Sequence, residues 1–158
     1  MKADLSLGNL VVVETLKNEL PMEFYRDKLI PAVKDGAVAV FSCYFWIDKL
    51  HERFNDPSYQ VKFIENPHPL RKPTFLAPGF ADTPNDMARS LRHTPSGVFE
   101  PAFPDQWTVL ARQKLKDEKD MPFIIARPLG KGMVVLAGDI HAKIELLENL
   151  FELRKSAF

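Results

Sequence analysis

Two side chains in this sequence are suited to exchange a proton with each other and to attack an electrophile: Cys43, the one thiol, and His141. Each stands just past an apolar run, Cys43 after AVAVFS and His141 after VVLAGDI. A thiol becomes a nucleophile when a neighbouring imidazole takes its proton and a helix N-terminus favours the thiolate. The blander roles are a small buried hydrophobe for Cys43 and, for His141, the step where a buried strand turns into a surface helix. His51, His68, His93 and His141, taken with Asp139, match no compact zinc spacing, so no metal site is expected. A single cysteine excludes an internal disulfide and any multi-cysteine metal site.

A second group is basic. Arg71 and Lys72, with Arg89, Arg92 and His93, share a proline-rich stretch with Phe75 and Phe80. These cations suit an acidic or carbohydrate-like ligand or a partner protein, although a solvated loop face is the more common explanation for such a group. Gly130-Lys131-Gly132 is no phosphate loop, because that loop needs a longer glycine spacing, then Lys with Ser or Thr, feeding a helix. Here the glycines lead into MVVLAG, and the pattern is that of a hairpin turn between two strands.

The elements that must position these residues follow from the apolar pattern. Leu10–Val13 is a Val-rich run suited to a strand covered on both faces. Met22, Tyr25, Leu29 and Val33 recur every three or four residues and predict one apolar helix face, opened by Pro21 and closed by Gly36. Pro31 lies inside that helix and is expected to kink or split it. AVAVFSC predicts a second buried strand, and YFWIDKLHERF a second helix resting on Phe45 or Trp46, Leu50 and Phe54. Tyr59–Ile64 suits a short strand. From about 65 to 104 the chain holds eight of its thirteen prolines, which prevents long regular elements. Met87–Leu91 suits one short helix there, and the aromatic residues of the stretch imply that it packs on the domain. WTVLARQ and PFIIARP predict two further strands, and Ala142–Lys155 a closing helix with Asp139 available as its cap.

The chain has 158 residues, 46% hydrophobic and 27% charged, with 21 acidic and 21 basic side chains that cancel. This is the profile of one globular domain. A balanced charge argues against nucleic acid or an anionic membrane as partner, since both need a basic surface. No run approaches the roughly 18 apolar residues of a membrane span, and the start has no signal-peptide shape. A reducing, cytoplasmic setting is the simplest expectation. Alternating strands and helices predict an α/β layered fold with a mainly parallel sheet and a hairpin near one edge. No βα unit precedes the first strand, which implies a piece of a larger protein or an abridged fold.

With these elements in view, GNLVVVETLKNELPMEFYRDKLIPAVKDGAVAVFSCYF resembles the strand, helix and Gly-ended turn of class I glutamine-amidotransferase-like domains. PFIIARPLGKGMVVLAGDIHAKIELLENLFEL is similar to the closing part of their noncatalytic relatives, the trehalose-utilisation type and the trimerisation domain of certain β-galactosidases. The resemblance covers about two thirds of the chain. It implies a flavodoxin-like single domain over 1–158, with the proline-rich stretch as an insertion at about 65–104 and no cofactor. It also implies Cys43 at the nucleophile position and His141 at the base position.

Three departures bear on catalysis. Tyr44, Phe45 and Trp46 follow Cys43, where a strained nucleophile turn needs small neighbours. Lys143 stands two positions after His141, where the family has the Glu that orients its base. Glu14-Thr15 ends the first strand in place of the glycines that supply oxyanion donors. The expectation is therefore a noncatalytic module for assembly or ligand contact, working as a homo-oligomer, with a partner protein, or on a small-molecule or carbohydrate ligand. The alternative is a small cysteine hydrolase or amidase built on Cys43 and His141.

Overall fold

The computed structural model describes residues 10–13, 21–41, 47–66, 75–76, 96–114 and 119–138. Its main element is a six-stranded sheet. The strands are β1 (Leu10–Val13), β2 (Val38–Phe41), β4 (Phe75–Leu76), β6 (Thr108–Lys114), β7 (Asp120–Leu129) and β8 (Gly132–Ala137), in the order β1-β2-β8-β7-β6-β4. The β1–β2 and β2–β8 pairings are parallel, and β8–β7, β7–β6 and β6–β4 are antiparallel. The fold is thus mixed α/β, with a sheet divided between parallel and antiparallel halves rather than mainly parallel. The hairpin is the reason: β8 joins the parallel strands on one side and carries its antiparallel partner β7 on the other. A separate antiparallel ribbon pairs β3 (Val61–Asn66) with β5 (Ser96–Pro101).

The unbroken apolar runs behave as their pattern dictates. Every residue of β2 and β8 is buried, on both faces of the sheet. One face meets the helices in a core of Ala39, Phe41, Ile125, Val134 and Leu136 with Tyr25, Leu29, Val33, Leu50 and Phe54.

The helical segment after Pro21 shows what a proline does inside an amphipathic pattern. It runs as α1 (Met22–Phe24), a wide π turn (Tyr25–Leu29) and α2 (Ile30–Lys34). In a regular α-helix Pro31 lacks the N–H that would reach Asp27, and its ring crowds that carbonyl. The widened turn, with Ile30 N–H bonding back five residues to Tyr25 O, takes up the misfit. Tyr25, Leu29 and Val33 line the buried face as their spacing predicts, whereas Met22 is 39% exposed because it sits in the first turn, beyond the core. The helix ends in a Schellman arrangement: Gly36, at φ 127, donates to Val33 O and Ala37 to Ala32 O. Lys34 O, otherwise without a partner at a helix end, accepts from Lys131 N in the β7–β8 turn, which docks the hairpin on the helix.

The second predicted helix is shorter than its pattern, a 3-10 turn (Ile47–Lys49) leading into α3 (Leu50–Arg53), with Ile47, Leu50 and Phe54 buried. Tyr59 belongs to a 3-10 turn (Pro57–Tyr59) rather than to the strand, which starts at Val61. The predicted helices at Met87–Leu91 and Ala142–Lys155 lie outside the described residues. Among the described residues no helix is long and apolar enough to cross a membrane.

Candidate functional site

Strands β2 and β8 are neighbours, parallel and in register, with Phe41 beside Leu136. The chain therefore leaves both at the same edge of the sheet, and in sequence Cys43 follows Phe41 by two residues and His141 follows Ala137 by four. In open α/β sheets the carboxyl ends of parallel strands are where ligands bind. Cys43, His141, Asp139, Arg71, Lys72, Arg89, Arg92 and His93 all lie outside the described residues. Among the described residues no cluster of His, Cys, Asp and Glu has the makings of a metal site.

The described residues do assemble another polar group, which sequence reasoning misses. It begins at the end of α3. Asn55 takes the left-handed conformation, φ 51, and a second Schellman pair forms, Asn55 N to Glu52 O and Asp56 N to His51 O. The chain reverses there and delivers Asp56 as the N-cap of the Pro57–Tyr59 turn. Ser58 donates to Asp56 Oδ1 through its backbone N–H at 2.9 Å and its hydroxyl at 2.7 Å. These bonds hold the Asp56 carboxyl below the usual carboxylate range, with the charge of Arg127 adding to the effect and partial burial opposing it.

Arg127 reaches this turn from β7. Its Nη1 donates to Ser58 Oγ at 2.8 Å and to Ser58 O at 3.2 Å. The guanidinium lies 4.0 Å from the Tyr59 ring centroid and 5.3 Å from that of Trp107, which precedes β6. Phe54 stacks on Tyr59 at 4.3 Å with the rings 6° from parallel. Two groups cannot share one ring face at such distances, so Tyr59 is held between Phe54 and Arg127. Burial pushes the Tyr59 hydroxyl up to about 12, against the pull of Arg127 and with a small push from Asp56.

Arg127 is only 9% exposed, yet among the described residues no carboxylate lies within ion-pair distance of it. Asp56 acts on it through the Ser58 hydroxyl instead. A buried guanidinium against aromatic rings gains cation–π attraction of about 2 kcal/mol when desolvated, which offsets part of the cost of its burial. Chemically the group is a fixed cation with an aromatic lining.

In comparisons with known proteins, no protein-family model matches the chain and no curated protein matches it.

Proposed function

We propose that the chain is a noncatalytic amidotransferase-like module of flavodoxin-like architecture, working in the cytoplasm in assembly or ligand contact, within a larger enzyme or complex or as a homo-oligomer. The observation that carries this reading is the pairing of β2 with β8. The two segments that resemble the family's nucleophile and base segments follow neighbouring parallel strands, and β8 is the second strand of a hairpin as the closing motif implies. What the sequence withholds is the chemistry: Tyr44, Phe45 and Trp46 follow Cys43 where a nucleophile turn needs small neighbours, and Lys143 stands in the sequence where the family has the anion that steadies an imidazolium. The basic residues Arg71, Lys72, Arg89, Arg92 and His93 are the candidates for ligand or partner contact.

The same strand pairing also favours a second reading, a cysteine hydrolase or amidase using Cys43 and His141, and one experiment separates the two. A thiol reagent is applied to the native protein from pH 5 to 9, and the solution mass is measured by light scattering. The module labels only after denaturation and runs larger than a monomer. Fast native labelling, with an apparent pKa well below the ordinary value of about 8.5 and lost in His141→Ala, replaces the module by the hydrolase.

A further inference from the structure

The Arg127 stack does not depend on the amidotransferase-like reading. Arg127 pairs with Val134, and Val134 with Ala39, close to where β2 and β8 begin. It thus lies toward the amino edge of the parallel strands, opposite the edge from which the chain leads to Cys43 and His141.

Of the three guanidinium nitrogens, Nη1 is engaged by Ser58. Nε is buried and has no hydrogen-bond partner in the protein. Nη2 has no hydrogen bond to the protein either, but it is not among the buried atoms. The N–H of Nε and one N–H of Nη2 are parallel, and together they form the fork that fits two oxygens of one anion. Arg26 shows this edge occupied, with Nε 2.8 Å and Nη2 3.1 Å from the two oxygens of Asp27. In Arg127 the same edge is unmatched. Two more donors of the stack, Trp107 Nε1 and the Tyr59 hydroxyl, are also buried without a partner, on residues 7% and 2% exposed. Buried donors left unmade are unfavourable, and an unmatched guanidinium edge in the same stack favours an acceptor with negative charge.

Charge decides which anion. Asp56 already contributes one negative charge through Ser58, so a dianion would place two more beside it, whereas a monoanion adds one. The rings of Tyr59 and Trp107 suit a ligand with a short apolar body behind its charged end. We propose that the Nε–Nη2 edge of Arg127 binds a monoanionic carboxylate on a small, partly apolar molecule.

The test is a titration of the full chain with propionate, and in parallel with inorganic phosphate, at constant ionic strength set by chloride. The readouts are the ¹H–¹⁵N signals of Arg127 Nε–H and the Trp107 indole N–H. Propionate is expected to shift both saturably. Arg127→Lys keeps the charge but loses the fork, and weakens propionate about tenfold or more. Should Arg127→Lys fail to fold, the titration of the unaltered protein decides alone. Absence of a saturable shift overturns the site, as does a shift that Arg127→Lys leaves unchanged. Saturation by phosphate and not by propionate overturns the carboxylate assignment. None of these outcomes depends on the reactivity of Cys43.

Discussion

At the scale of the residue, Tyr59 and Asp56 titrate in opposite senses. The Tyr59 hydroxyl is raised to about 12 by burial, against an ordinary value of about 10. Its contribution is complete below the unfolded value and is lost as pH rises from there through about 12, because the unfolded chain releases a proton that the folded one retains. Tyr59→Phe removes a buried hydroxyl that has no partner, so stability near neutral pH is expected to change by less than about 0.5 kcal/mol. The alkaline loss above pH ~10 is expected to flatten, and denaturant melts at pH 7 and pH 11 read both effects. Asp56 is lowered, so its contribution is present above the unfolded value of about 3.9 and fades as pH falls through the lower folded one. Asp56→Ala removes the cap that Ser58 N–H and hydroxyl rely on and is expected to cost about 1 kcal/mol at pH 7, with the difference from the unaltered protein vanishing in acid melts. Arg127 has no such signature in sequence. It is a single cation inside an apolar strand, and its partner Ser58 lies 69 residues away in sequence. What brings the two together is tertiary packing, which no local pattern encodes. The aromatic content does mark Trp107 and Phe54 as core, and both are buried.

At the scale of the element, what was legible is what depends on local periodicity. The strands at Leu10–Val13 and Val38–Phe41, the buried stripe Tyr25, Leu29 and Val33, and the hairpin around Gly130-Lys131 all follow from short-range spacing. Turn chemistry is less conspicuous. The run FNDP contains an Asn able to take the left-handed conformation and an Asp before Pro, a recognisable turn signal. Asn55→Gly is expected to leave stability within about 0.5 kcal/mol, whereas Asn55→Val, forced to φ 51, is expected to cost about 1–2 kcal/mol. A comparison of melting temperatures is sufficient. Gly130 is more demanding. Its φ of 60 at the first position of a two-residue loop fits a type II′ hairpin, and a Cβ there would meet the Lys34 backbone at 2.6 Å. Gly130→Ala is expected to cost about 1–3 kcal/mol and to weaken protection of the Lys131 N–H, bonded to Lys34 O, in hydrogen exchange. Within β7, Pro122 stands opposite Arg112, directly beside the register shifts at Val109, Ala111 and Arg112. A proline that cannot donate is tolerated where the ladder is already irregular.

At the scale of the whole molecule, a backbone junction among the described residues ties the ribbon to the main sheet. Gly97 N donates to Gly138 O at 2.9 Å and Gly138 N donates to Phe123 O at 2.7 Å. A Cβ on Gly138 would collide with Gly97 O, so the two backbones approach as closely as they do because Gly138 carries no side chain. Gly138→Ala is expected to cost about 1–3 kcal/mol and to raise exchange in β5 before the centre of the six-stranded sheet. If β5 and β8 instead lose protection together and equally, the junction does not hold the ribbon locally.

The pairing of β2 with β8 also sets a clock. Val38 and Met133 are register partners separated by 133 − 38 = 95 positions. On a ribosome adding about 5–20 residues per second, β2 emerges roughly 5–20 s before its partner exists. For that interval a four-residue apolar strand waits with one neighbour missing. The β7–β8 hairpin, by contrast, closes locally in about 1–10 μs once both strands are made. Nascent chains halted before Gly132 are therefore expected to aggregate more readily than the full chain, which sedimentation of stalled and full-length products would show.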